Sequence, residues 1–149
     1  VCGIVGFVDT KKTDLEAICN EMVGTLHHRG PDYSSVWSDQ EYGIALGHSR
    51  LSILDISEAG HQPMMSRCGR YVITFNGEIY NFPALKEQLE FLGYKFSSNT
   101  DTEVILNLYQ EYGLDCFAML DGIFALGIFD KEKNLFKEEL NNKIEYYSF

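Results

Sequence analysis

Four places in this 149-residue chain hold side chains whose type and setting could do chemistry. The first is Cys2, in "VCGIVGF". Chain ends are usually frayed and solvated, a poor setting for a small, oxidisable and usually buried side chain. Cys2 is therefore either a buried residue of a first strand or a thiol whose chemistry needs the chain end. The second is Arg50, in "HSRLSILD", a strand-like run where a charge must end at the surface or face a partner. The third is the pair Asn76–Gly77 of "FNGEIYN", directly after the apolar "YVITF". Asn-Gly is the strongest two-residue hairpin signal, and pattern alone favours a type I′ turn there. The same pair also sets a side-chain amide beside a freely oriented backbone N–H at a strand end, which can form an oxyanion hole. The fourth is Asp101 of "NTDTEVIL", which reads most simply as an acid in the first turn of a helix, favoured by the dipole. Singly, each has a structural reading. Together with a near-terminal cysteine, they suggest a site.

The elements that must position these residues follow from periodicity. "GIVGFV" is nearly all apolar, as in a strand covered on both faces. A helix is expected from about Thr13, with Thr13 and Glu16 as a capping box and Leu15, Ile18, Cys19, Met22, Val23 and Leu26 at helical spacing. It should end near "HHRGPD", at Gly30 and Pro31. Strand-like segments follow in series: "YSSVWS", "YGIALGHSRLSIL" and "YVITFNG". A second helix fits "NFPALKEQLEFLG", with Asn81 as N-cap, Pro83 in its first turn and Gly93 past its end. A third fits "TDTEVILNLYQEYG", opened by Thr100 and Glu103 as a box and closed by Gly113, with "DCFAML" continuing as a helical turn or two. "GIFALGIFD" and "NLF", joined by "KEK", read as a β-hairpin. This order is α+β with largely antiparallel sheets under helices, in a single domain over residues 1–149.

Composition narrows the function classes. The balance of 45% hydrophobic and 23% charged residues is that of a globular chain with one real core. The formal charge is −10 and the 12 basic residues form no cluster, so no nucleic-acid partner is expected. No apolar run is long enough for a bilayer, and the start lacks a basic n-region, so no membrane association and a cytoplasmic setting are expected. The cysteines Cys2, Cys19, Cys68 and Cys116 contain no C-x-x-C, which argues against a zinc knuckle or redox motif. Cys19 and Cys116 fall on apolar helical positions and are expected in the core. His27, His28, His48 and His61 show no metal-ligand spacing.

The segments "CGIVGF", "HHRGPD", "SRLSILD", "GHQPM", "FNGEIYN", "DTEVIL" and "LDGIFALGIFD" occur in an order and spacing that resembles the N-terminal class II glutamine amidotransferase domain of glutamine-hydrolysing asparagine synthetases. The resemblance covers about the first 130 residues. It implies an N-terminal nucleophile (Ntn) hydrolase fold, a four-layer αββα sandwich of antiparallel sheets. It also implies a reaction: L-glutamine is hydrolysed to glutamate, and the ammonia goes to the ATP-dependent amidation of aspartate by a synthetase domain or subunit. Residue by residue, Cys2 resembles the family nucleophile, with its own α-amino group as base. A free α-amine titrates at about 7.7 to 8.0, which suits a general base near neutral pH. Asn76, through its side chain, and Gly77, through its N–H, match the oxyanion hole. Arg50 matches the residue that binds the substrate α-carboxylate, and Glu78 and Asp101 match the acids that hold its α-ammonium. Leu51 and Ile53 are expected to flank the pocket. The family uses no histidine base, and no metal or cofactor is expected in this domain, ATP and Mg belonging to the synthetase part. A homodimer is compatible with the resemblance.

The chain departs from the pattern twice. Val1 stands where relatives carry an initiator methionine, and we expect it to be a GUG start read literally, the true residue being removed. The tail "FKEELNNKIEYYSF" replaces the expected "ARD-x-x-G-x-K-P-L-Y-Y"-like strand pair, so the domain is expected to be incomplete after about residue 136 and truncated at its C-terminus, with no synthetase domain. Two alternatives stay open on these grounds: a non-catalytic relict that binds a partner, and a glutaminase domain serving another acceptor, such as a sugar or peptide.

Overall fold

The computed structural model describes residues 2–9, 11, 13–51, 60–140 and 143–148. Strand β1 (Gly3–Val8) is followed by helix α1 (Leu15–Thr25), β2 (Tyr33–Asp39), β3 (Ile44–Arg50), β4 (Met64–Met65) and β5 (Tyr71–Ile79). Helices α2 (Phe82–Phe91) and α3 (Asp101–Tyr112) come next, then a 3-10 segment (Gly113–Met119) and β6 (Gly122–Asp130), β7 (Leu135–Leu140) and β8 (Lys143–Ser148). The strands make two antiparallel sheets, ordered β1-β3-β2 and β4-β5-β6-β7-β8. The tail that departs from the family pattern thus adds two antiparallel strands to the second sheet.

Alternation along the strands produces the layers. On β3, Ala45 packs with Leu15, Cys19 and Val23 of α1, while Ile44 and Leu46 face Val72 and Phe129 of the second sheet. Tyr42 meets Phe129 edge-on at 5.4 Å between ring centroids in the same gap. On β5, Val72 faces the first sheet, whereas Tyr71, Ile73 and Phe75 turn outward to Leu85 and Leu89 of α2 and Val104, Ile105 and Leu108 of α3. The result is the expected αββα order of helix, sheet, sheet and helices. Cys19 and Cys116 are both fully buried, as their apolar positions required.

Three local expectations are corrected. The cap of α1 is Asp14 and not Thr13: Asp14 accepts from Ala17 N at 3.1 Å, and the Thr13 hydroxyl instead donates to Asp9. Asn81 does occupy the N-cap of α2 but makes no cap bond; its amide accepts from Asp121 N and donates to Met119 O, tying the entry of α2 to the start of β6. Thr100 does cap α3, accepting from Glu103 N at 3.3 Å, but the Glu103 carboxylate turns away to Ser97 and Ser98. Burial pushes the Glu103 carboxyl up, and those serine hydrogen bonds outweigh it and hold the group below its ordinary value.

One end of the β5–β6 pair is held by an ion pair. Arg70 donates to Asp130 through Nε at 2.8 Å and Nη2 at 2.9 Å, and Asp130 also accepts from Glu132 N and Lys133 N in the turn to β7. Asp130 is 1% exposed. Arg70→Met therefore leaves a buried carboxylate with backbone donors alone, and urea denaturation at pH 7 is expected to show a loss of about 1.5–3 kcal/mol. Burial raises the Asp130 carboxyl, but the hydrogen bond from Arg70 outweighs it and the net shift is downward. Stability from this group is therefore present above the unfolded value of about 3.9 and lost as pH falls through the lower folded one. The gap between wild type and Arg70→Met should close over that acid range.

Candidate active site

The first sheet brings the cysteine and the arginine together. The β1–β3 ladder pairs Ile4 with His48 and Gly3 with Ser49, so one further step sets Cys2 opposite Arg50. Opposed residues of an antiparallel pair share a face. That face is the gap between the sheets, since Ile44 and Leu46 of β3 point into it and Arg50 has the same parity. Cys2 is a free, half-buried thiol, and Arg50 is also half-buried.

The second sheet supplies the opposite wall. Thr74 Oγ1 donates to Gly47 O at 3.0 Å, fixing where β5 crosses β3. Asn76 lies two residues beyond Thr74 and so keeps its face, toward the first sheet. At the end of β5, Ile79 N donates to Asp101 Oδ2 at 3.2 Å, joining that strand to the first turn of α3. A Cβ built on Gly60 would stand 3.5 Å from Arg50 Nη2 and 3.5 Å from Thr100 Cγ2. The guanidinium, the start of α3 and the end of β5 are therefore neighbours at one end of the sandwich. Glu78 is exposed at the rim and close enough for its charge to act on Asp101.

Asp101 is pushed up by burial, opposed by backbone N–H groups including that of Ile79 and reinforced by the charge of Glu78. A carboxylate held this way gains from a cation delivered between it and Glu78. His48, beside Arg50 on β3, is 2% exposed. Burial first, and then the Arg50 charge, lower its value to about 4, so it stays neutral near pH 7. Its ring lies by the Phe75 backbone, yet neither ring nitrogen meets a hydrogen-bond partner among the described residues. Among the described residues no three His, Cys, Asp or Glu side chains are grouped to hold a metal ion.

Asn76–Gly77 is not a hairpin turn. Both residues lie within the nine-residue β5 and pair with Ala125 and Phe124 of β6. A Cβ at Gly77 would stand 2.4 Å from Ile123 O and 2.5 Å from Phe124 Cα, and its φ of +152° is one that L side chains rarely adopt. Glycine is thus required for the two strands to approach beside Asn76. Gly77→Ala is expected to cost roughly 2–5 kcal/mol, from overpacking plus backbone strain. A thermal melt checks this; an unchanged melting temperature would contradict the close approach.

Leu51 follows β3 and is half-buried; Ile53 and Val1 lie outside the described residues. Sequence reasoning missed Gln62. Its Oε1 accepts from Phe75 N at 2.6 Å and its Nε2 donates to Thr102 Oγ1 at 3.3 Å, stitching β5 to α3 from beneath the site. The only sequence signal was its place inside "GHQPM", since a lone glutamine in a loop has no periodicity to betray burial.

A family model described as a glutamine amidotransferase domain matches residues 1–142. The chain is 42% identical over 139 residues to glutamine-hydrolysing asparagine synthetase 3 of Bacillus subtilis strain 168, covering 91% of this chain and 22% of that protein. It is 38% identical over 167 residues to a putative glutamine-hydrolysing asparagine synthetase 2 of Methanocaldococcus jannaschii, covering 99% and 32%. The chain thus spans between about a fifth and a third of the length of these relatives. Among solved structures, glutamine phosphoribosylpyrophosphate amidotransferase from B. subtilis superposes with a TM-score of 0.67 at 20% identity, covering 93% of this chain and 36% of that one. That likeness concerns the fold, and it agrees with the two stacked antiparallel sheets.

Proposed function

Because the chain belongs to the glutamine amidotransferase domain family, we propose that this end of the sandwich hydrolyses the side-chain amide of L-glutamine to glutamate and ammonia. The observation that carries the reading is the β1–β3 ladder, whose end pair Gly3–Ser49 leads on to Cys2 and Arg50, with the start of α3 beside the guanidinium. A zwitterion needs both a cation and an anion to hold its amino-acid end, and Arg50 on one side with Asp101 and Glu78 on the other would supply them. The Arg50 fork takes the α-carboxylate, and the two acids take the α-ammonium. The Leu51 side flanks the substrate stem, with Ile53 assigned to the same wall.

With that end fixed, the side-chain amide reaches Cys2. The thiol gives its proton to the Cys2 α-amine and its sulfur attacks the amide carbon. The oxyanion so formed is met by the Asn76 amide and the Gly77 N–H. The intermediate collapses, the amine returns the proton to the departing nitrogen, and ammonia leaves a thioester. Water, losing its proton to the same amine, then releases glutamate and restores the thiol. Of the two nearby nitrogen bases, the amine is the better matched to neutral pH, because burial and the Arg50 charge lower His48 to about 4. This base exists only where Cys2 is the first residue, since an acylated nitrogen is a planar amide.

No metal or cofactor enters these steps. The ammonia serves a synthetase domain or subunit that activates the acceptor, as the names of the relatives suggest for aspartate. A cytoplasmic setting fits a reaction that needs a reduced thiol; no helix among the described residues is long and apolar enough to cross a membrane. The test is glutamate release from L-glutamine by protein whose N-terminal Cys2 has been verified by intact mass. Absence of release from such protein refutes the reading.

A further inference from the structure

The rings of Tyr33 and His61 stack with centroids 4.2 Å apart and planes 16° from parallel. Neither belongs to the set assigned above, yet the pair flanks Arg50. Tyr33 stands opposite Arg50 in the β2–β3 ladder, and Asp32 N donates to Arg50 O at 3.1 Å. His61 follows Gly60, whose Cβ position is 3.5 Å from Arg50 Nη2 and 3.8 Å from Nη1. On the other side Gln62 is bonded to Phe75 N and Thr102 Oγ1. The Gly60–Gln62 stretch therefore crosses from the first sheet to the second with the guanidinium against Gly60. Gln62 fixes one end of it. The ring stack fixes the other.

We infer that the Tyr33–His61 stack is a positioning clasp, which holds the Gly60 backbone against the Arg50 guanidinium and so sets how tightly the site grips the substrate α-carboxylate. The inference rests on the reading of Arg50 given above. A guanidinium holds a carboxylate through two parallel hydrogen bonds only while its plane is aimed, and a wall against its Nη atoms restricts that plane. Tyr33 is 39% exposed, so its ring is not part of the buried core. The clasp acts on the end of glutamine remote from the reacting amide. Its loss should therefore weaken binding and leave the chemical step alone.

The test uses the full chain with a verified Cys2 N-terminus. Tyr33→Ala and His61→Ala are each expected to raise KM for L-glutamine about 3–10-fold, the range of a single ring stack, with kcat within about twofold. The double variant should be no worse than either single one, because both remove the same contact. Tyr33→Phe keeps the ring and is expected to restore the wild-type KM. Hydrogen exchange at the Gly60 and His61 amides should quicken in Tyr33→Ala and not in Tyr33→Phe. An unmoved KM in Tyr33→Ala, additive effects, a fall in kcat matching the rise in KM, or unchanged exchange each overturns the clasp. Wild-type protein that neither binds nor hydrolyses glutamine overturns instead the reading of Arg50.

Discussion

Cys2→Ala is expected to lower glutamate release to background, a loss of at least about 10³-fold, while glutamine still binds. The two halves of this result come from different parts of the site. Binding is assigned to Arg50, Asp101 and Glu78, none of which the substitution touches. Chemistry is assigned to the thiol, and alanine offers no lone pair to attack the amide carbon. Cys68 gives the contrast: its thiol is exposed and hydrogen-bonds toward Gln110, on the helix-covered side of the second sheet. Cys68→Ala should leave kcat/KM within about twofold, as for a surface change away from any site. Glutamate detection and calorimetric titration with L-glutamine read the two halves separately. Thiol-independent release in Cys2→Ala, or equal losses in both variants, would remove Cys2 from the mechanism. The non-catalytic alternative would then regain ground.

The layers were legible because their cause is local. The apolar runs "GIVGFV" and "YVITF" and the helical spacing in "DTEVILNLY" each follow from burial against a neighbouring layer, and the sandwich is what such segments make when stacked. The resemblance of seven ordered motifs supplied the rest. What failed was local chemistry decided by distant partners. Asp9 took the hydroxyl of Thr13 and left the cap of α1 to Asp14. Asn81 keeps its N-cap position, but its side chain was drawn off to Asp121 and Met119, forty residues on or nearly so. Asn76–Gly77 looked like a turn because its two residues suit one, yet β6 arrives from more than forty residues away and continues the ladder through it. The stretch after it, "NFPALKEQ", forms α2 and could not have been the returning strand of a hairpin. Strand register is likewise invisible in one sequence, so the approach of Cys2 to Arg50 along the β1–β3 ladder needed the folded chain.

Asn76→Ala is expected to cut kcat about 10²–10³-fold, the usual cost of one oxyanion-hole donor, with KM for glutamine changed only about twofold. The reasoning turns on when the interaction is made. The amide oxygen of bound glutamine is a neutral carbonyl and gains little from one more donor. As sulfur adds, that oxygen takes the charge, and a donor already aimed at it gains most at that moment. Asn76→Asp is the sharper variant. It keeps the shape but sets a carboxylate where the oxyanion must form, so its kcat should fall at least as far as that of alanine. The fold should survive both, because Asn76 is only half-buried and its backbone pairing with Ala125 does not depend on the side chain. Steady-state kinetics alongside thermal melts separates these effects. A kcat loss accompanied by an equal loss of stability would mean that Asn76 holds the strand, whereas loss of kcat alone assigns its amide to the transition state.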